Sequence, residues 1–131
     1  MLTFELGDLV SRLNVASKGH LTSIFVRRSR FSVELLSILY LNGLIRGFNI
    51  RGNTIKVFLK YYQNRSLFKE LIMVSTPGRR IFWTLNNLSN KFNNNSFSGF
   101  YILSTNKGLI TSNSALLSSF LSGEVILKVS I

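Results

Sequence analysis

Between Thr54 and Tyr62 the side chains alternate without a break. Ile55, Val57, Leu59 and Tyr61 share one face, and Lys56, Phe58, Lys60 and Tyr62 share the other. A period of two belongs to a strand with one covered side, because a helix brings residues three and four apart onto one face. The apolar side needs a cover, and the chain supplies it upstream. Leu6, Leu9, Val10, Leu13 and Ala16 recur at helical spacing, so Leu6 to Ala16 is expected as an amphipathic helix that Gly19 breaks. A second apolar helical stripe is Leu35, Leu36, Leu39 and Tyr40, with Ser29 or Ser32 as its N-cap and Gly43 as its left-handed C-terminal cap. Thr22 to Arg28 is rich in β-formers and reads as a strand between the helices. From Ile45 the period is two, and Arg51-Gly52-Asn53 signals a hairpin. Residues 1–64 are thus predicted to form an αβαββ domain, with helices on one sheet face and the other face basic and aromatic.

The pattern relaxes near Asn64 to Ser66, and residues 65–131 are predicted as a second, mostly antiparallel β domain with a short helix. Its expected strands are Phe68 to Val74, Arg79 to Trp83, Phe100 to Leu103 continuing through Leu109 and Ile110, and Val125 to Ile131. Ser75-Thr76-Pro77-Gly78 is a turn holding the only proline, Leu85 to Leu88 a short helix, and the Asn- and Ser-dense Asn90 to Ser98 a loop. Thr111 is expected to cap a helix through Phe120 that Gly123 ends. The fold class is α/β of the α+β kind, in two small domains.

Composition decides which partners are reasonable. Lys+Arg total 16 against 5 Asp+Glu, a net charge of +11. Such a chain repels itself, and a polyanion relieves that repulsion; nucleic acid is the leading candidate because neutralising phosphates releases counterions. A membrane is disfavoured. A spanning helix needs roughly 20 apolar residues, whereas Leu35 to Ile45 is about half that length and is closed by Glu34 and Arg46. With no cysteine, disulfides, zinc knuckles and thiol catalysis are excluded. Glu5 and Asp8 precede any basic residue, the wrong charge for a secretory signal or an arginine-rich transit peptide.

Catalysis finds few players. His20 is the one histidine and is expected in a solvated loop; Glu5, Asp8, Glu34, Glu70 and Glu124 show no pairing or metal-ligand spacing. No enzyme, metal, cofactor or small-molecule substrate is expected. The basic residues gather at Arg27-Arg28-Ser29-Arg30, at Lys56 and Lys60, and at Arg79-Arg80. If a strand begins at Arg79, that residue and Arg80 point to opposite faces. Ser104-Thr105-Asn106-Lys107-Gly108-Leu109-Ile110-Thr111 packs hydroxyls, a cation and a flexible glycine into a tight turn. Alone it is an ordinary Ser/Thr-stabilised hairpin; beside the charge excess it also reads as a surface for an RNA minor groove, where 2′-hydroxyls and base edges are reachable.

The order of these segments resembles the universal family of small-subunit ribosomal protein eight. The matching stretches are Asp8-Leu9 through Arg12-Leu13 and Ala16, Ser29-Arg30-Phe31, Asn42 through Phe48, Leu59-Lys60-Tyr61, Ser75 through Phe82, Ser104 through Thr111, Ala115, and Ser122-Gly123-Glu124. The resemblance implies a two-domain protein that binds the central domain of small-subunit rRNA early in assembly, beside neighbouring small-subunit proteins. It implies that the main RNA contact comes from Ser104, Thr105, Asn106, Lys107, Gly108, Gly123 and Glu124. Thr111, Arg79 and Arg80 are expected to add to it, and Arg12, Ser29 and Arg30 to contribute from the first domain. The chain departs from the pattern at Leu13-Asn14-Val15-Ala16, where Ile-Arg-Asn-Ala is usual, at Ser122 in place of a glycine, at Phe82, which lacks a hydroxyl, and at Ser32, where a cation often stands. A free RNA-binding translational repressor using the same surface is the alternative role. The Asn, Ser, Phe, Leu and Ile bias looks like an organelle-encoded, mitochondrial ribosomal protein; a plastid or bacterial cytoplasmic protein would read similarly.

Overall fold

The computed structural model describes residues 2–76, 78–84, 86–88, 90, 99–117 and 122–131. The chain divides into two compact units, Met1–Leu71 and Ile72–Ile131.

The first unit contains α1 (Leu2–Lys18), β1 (Ser23–Arg27), α2 (Arg30–Leu41), β2 (Ile45–Arg51), β3 (Thr54–Leu59), β4 (Tyr61–Tyr62) and β5 (Arg65–Ser66). β3 lies between β1 and β2, antiparallel to both. Its Ile55, Val57 and Leu59 are buried, with Leu6, Leu9, Leu13, Leu35, Leu36 and Leu39 from the helices. The helices also pack on each other, α1 on β1 and α2 on β2. The predicted αβαββ order is present, and the alternation in β3 is what drives it: every second side chain needs an apolar cover that only the two helical stripes provide.

Helix ends follow backbone rules. Ser29 caps α2, accepting from Ser32 N at 3.1 Å. Gly43 (φ 75) closes it: Gly43 N donates to Tyr40 O and Leu44 N to Leu39 O, the paired bonds of a Schellman cap. Helix α1 ends at Lys18, directly before Gly19 as expected. Gly19 does not take the left-handed position; His20 does, at φ 54. Leu21 N donates to Ala16 O, and the His20 ring lies 5.4 Å from the Tyr61 ring, so the histidine is part of the cap. Beyond β3 the structure adds a small hairpin, β4 with β5, turned by Gln63 (φ 52) and Asn64 (φ 62). Residues 65–71 remain with this unit: Phe68 and Leu71 are buried, and the Asn14 side chain holds the Leu71 backbone at both its N–H and its carbonyl.

The second sheet runs β6 (Glu70–Met73), β10 (Ser122–Ser130), β8 (Gly99–Thr105), β9 (Gly108–Thr111), with β7 (Phe82–Thr84) also paired to β10. Its core gathers Leu88, Tyr101, Leu103, Ala115 and Val125, with Val74, Ile81, Trp83 and Ile110 against them. β10 begins at Ser122, so Gly123 lies inside a strand, opposite Trp83. β7 starts at Phe82, leaving Arg79 and Arg80 in the approach to the strand and not on its alternating faces. The helix after Thr111, α3, is described over Ser112–Leu117; residues 118–120 of the expected helix lie outside the described residues. So do Pro77 of the turn, Leu85 of the short helix, whose residues 86–88 are helical, and 91–98 of the Asn-rich stretch. Among the described residues no helix is long and apolar enough to cross a membrane.

Candidate functional site

The Ser104-to-Thr111 segment forms the β8–β9 hairpin, with Thr105 opposite Gly108 and Ser104 opposite Leu109. Asn106 and Lys107 make the turn, and Gly108 takes φ 99, a left-handed conformation that a side chain would strain. The Thr105 hydroxyl donates to Gly108 O at 3.0 Å and accepts from Lys107 N at 3.2 Å. It therefore braces the loop from within, leaving one oxygen lone pair for anything outside. Asn106 and Lys107 are exposed, and their side chains have no partner among the described residues. Thr111 is committed elsewhere: it caps α3, accepting from Ser114 N at 3.3 Å.

Glu124 joins this hairpin to the Arg79–Arg80 segment. In β10 it lies opposite Ser104 on one side and Phe82 on the other. Its carboxylate accepts from Arg80 Nη1 at 3.1 Å. Gly123 beside it is buried. Arg79 closes a tight turn, exchanging backbone hydrogen bonds with Thr76 at 2.9 and 3.0 Å, and its side chain is exposed. The structure thus brings Ser104, Thr105, Asn106, Lys107, Gly108, Gly123, Glu124 and Arg80 into one region, hairpin against strand end.

A residue that sequence reasoning missed fixes this arrangement. Ser75 is fully buried; its hydroxyl donates to Val125 O at 2.6 Å and accepts from Ile81 N at 3.0 Å. Val125 N in turn donates to Ile81 O at 2.8 Å. Ser75 so ties the segment carrying Arg79 and Arg80 onto β10 next to Glu124. In the sequence, a serine before Thr-Pro-Gly signals only a turn.

The three expected residues of the first unit lie on its helices α1 and α2 and at the α2 cap. Ser29 is the α2 cap, its hydroxyl also 2.8 Å from that of Ser32. Arg30, one turn ahead of Glu34, is 3.7 Å from its carboxylate and almost fully exposed. Arg12 donates to Asp8 at 3.0 Å along α1. Each of these exposed pairs stabilises by at most about 1 kcal/mol, so the guanidinium groups remain exchangeable. Among the described residues no three His, Cys, Asp or Glu side chains gather in a way that holds a metal.

The fold and the site define a cationic α+β protein that displays a braced hairpin beside a strand end. The family described as "Ribosomal protein S8" matches residues 5–130. The "Small ribosomal subunit protein uS8m" of Acanthamoeba castellanii is 34% identical over 125 residues, covering 95% of this chain and 97% of that protein. The "Small ribosomal subunit protein uS8" of Rhodospirillum centenum is 31% identical over 133 aligned residues, 98% of each. That of Rhizobium rhizogenes is 30% identical over 119, 87% and 88%. The chain belongs to the Ribosomal protein S8 family of the small ribosomal subunit, a family that is structural rather than catalytic.

Proposed function

We propose that this chain is a structural constituent of a mitochondrial small ribosomal subunit, where it binds the central domain of the small-subunit rRNA and supports its assembly. Its partners are that rRNA and the neighbouring small-subunit proteins. The observation that carries the reading is the hairpin tip. Thr105 holds the turn by its own hydroxyl, so Asn106 and Lys107 are displayed on a rigid loop with an amide and an ammonium free. A fixed loop of this size enters the wide, shallow minor groove of A-form RNA, where hydroxyls and amides meet 2′-hydroxyls and base edges and shape is read more than sequence. Ser104, Gly108, Gly123 and Glu124 form the floor beside it, and Arg79 and Arg80 lie next to the backbone of such an RNA. The similarity to uS8m supports the mitochondrion.

The test is binding of the full chain to a folded fragment of the central domain. A buried polar group left unpaired costs about 1–3 kcal/mol, which is about 5- to 150-fold in affinity. Thr105→Val is expected to weaken binding within that range, and Thr105→Ser, which restores the hydroxyl, to recover it. Equal affinity for wild type and Thr105→Val overturns the assignment of the hairpin. Sedimentation of tagged protein with mitochondrial small subunits tests the role in the particle; protein found only free would favour a repressor of translation instead.

A further inference from the structure

The face of the β1–β3–β2 sheet turned away from the helices has its own chemistry. Val26, Ile55 and Val57 point to the core and are buried, so their neighbours in the strands point outward. Cross-strand pairing aligns Phe25, Lys56 and Asn49 in one row, Ser23, Phe58 and Gly47 in the next, and Arg27, Thr54 and Arg51 in a third. No carboxylate occurs in these rows. Lys56 Nζ lies over both rings, 5.8 Å from the Phe25 centroid and 5.3 Å from that of Phe58. Phe25 is nonetheless 54% exposed. A phenylalanine in the middle of a strand, opened to water beside a cation, gains nothing for the core.

Phe25 also lines a groove of about 590 Å³ with Arg12, Arg27, Arg28, Asn53 and Thr54. Two of its guanidinium groups have hydrogen-bond partners. Arg12 donates to Asp8, and Arg28 donates to Gly52 O at 3.2 Å while its backbone N–H donates to Asn53 O at 2.9 Å. Arg27 has no carboxylate partner among the described residues. Three arginines, one of them paired to Asp8, with an open ring at their edge, match a ligand that carries anionic groups and flat π-faces at short, regular spacing. An acidic peptide answers the charges and leaves the ring unmatched. A duplex answers the charges but hides its base faces in the stack. A single strand answers both, since its bases stack on aromatic side chains while Arg and Lys track its phosphates.

We propose that this face holds an unpaired stretch of RNA, one base stacked on Phe25 and its adjoining phosphates in the Arg12–Arg27–Arg28 groove. The proposal rests on the reading of the partner as rRNA and adds a contact of a different kind from the hairpin.

The experiment uses the full chain and two probes, a fluorescent eight-residue oligouridylate and the folded rRNA fragment. Phe25→Leu keeps the apolar bulk and removes the ring; it is expected to weaken oligouridylate binding ~10-fold, with Phe25→Tyr restoring it. Thr105→Val is expected to do the reverse, weakening the folded fragment and sparing the oligouridylate. Phe25→Leu without effect on oligouridylate overturns this proposal, and a concurrent loss by Thr105→Val on the fragment leaves the hairpin reading standing. Thr105→Val without effect, beside a loss by Phe25→Leu, sinks the hairpin reading and keeps this one. Wild-type protein cross-linked to a 4-thiouridine version of the oligonucleotide gives a readout independent of variant folding. Adducts on Phe25 or the β1 and β3 peptides support the proposal, and adducts confined to other segments refute it. Displacement of the oligonucleotide by polyglutamate as readily from Phe25→Leu as from wild type would show attraction by charge alone and count against it too.

Discussion

Asn14→Ala tests how the first helix is tied to the chain that follows the small hairpin. The Asn14 amide donates to Leu71 O at 2.8 Å and accepts from Leu71 N at 2.9 Å, as a neighbouring strand would. Leu71 as a whole is 2% exposed, so these two backbone groups have little access to water. Each hydrogen bond contributes about 1 kcal/mol net, and more when the group left behind stays unsatisfied, so the pair is worth about 2–3 kcal/mol. Alanine returns up to about 0.7 kcal/mol through its better helix propensity. The net expectation is a loss of about 2 kcal/mol. Urea denaturation followed at 222 nm, where α1 and α2 dominate, should show a lower midpoint at unchanged slope. Asn14→Asp keeps the acceptor, loses the donor and sets a carboxylate against the Leu71 carbonyl. It should be no more stable than Asn14→Ala at neutral pH, and the gap should close as acid supplies the missing proton. A midpoint for Asn14→Ala within about 0.5 kcal/mol of wild type, the scatter of ordinary surface changes, would refute the reasoning.

Three further outcomes are expected. Gly43→Ala should cost about 1 kcal/mol and lower Tm by several degrees; at φ 75 an added Cβ meets nothing within 4 Å, so the penalty is conformational and not steric. Tyr61→Phe removes a hydroxyl 2.6 Å from Leu21 O and 3.2 Å from Ala16 O, and should lose about 1 kcal/mol by thermal melting. Burial raises the Tyr61 pKa above its ordinary 10, so the folded state favours the neutral phenol; wild-type stability should be fully present below pH 10 and fall above it, and the variant should lose that alkaline component. Arg79→Ala should weaken binding to all RNA sequences and reduce the slope of log affinity against log salt by about 0.7–0.9, the value for one phosphate contact; an unchanged slope in a salt titration would remove Arg79 from the interface.

What could be read from the sequence was what local periodicity writes down. The alternation from Ile55 to Leu59 and the two leucine stripes dictated the first unit, and Gly43 stood where a left-handed cap was needed. The misses share one cause: conformations adopted because tertiary contacts compensate them. His20 takes the left-handed cap beside a glycine that is freer to do so, and its ring lies against Tyr61. Gln63 turns a hairpin although glutamine carries no turn signal. Gly123 looked like a helix terminator and lies in a strand, because Trp83 and the β7 backbone take it as a ladder partner. The hairpin at Thr105 was legible as a Ser/Thr-stabilised turn, and the structure adds which bonds do it, Thr105 Oγ1 to Gly108 O and from Lys107 N. Ser75 was invisible because its partner, Val125, is 50 residues away.

Charge distribution links the two units' chemistry. The chain has five acidic residues, and three of them, Asp8, Glu34 and Glu124, engage Arg12, Arg30 and Arg80 among the described residues. Those arginines are three of the residues the proposed RNA contacts draw on. A pairing worth at most about 1 kcal/mol does little for stability. It does restrict a long side chain in the free protein, so less rotamer freedom is lost when a phosphate arrives, and a guanidinium has five donors, enough to keep its carboxylate while meeting an anion. Arg12, Arg30 and Arg80 thus each stand beside one of the scarce carboxylates, close to the RNA contacts proposed for them. Arg27, Arg79 and Lys107 have no carboxylate partner among the described residues, and under the proposed function their uncompensated charge would draw a polyanion toward those groups. In a chain of net charge +11, three of the five acids stand beside an arginine.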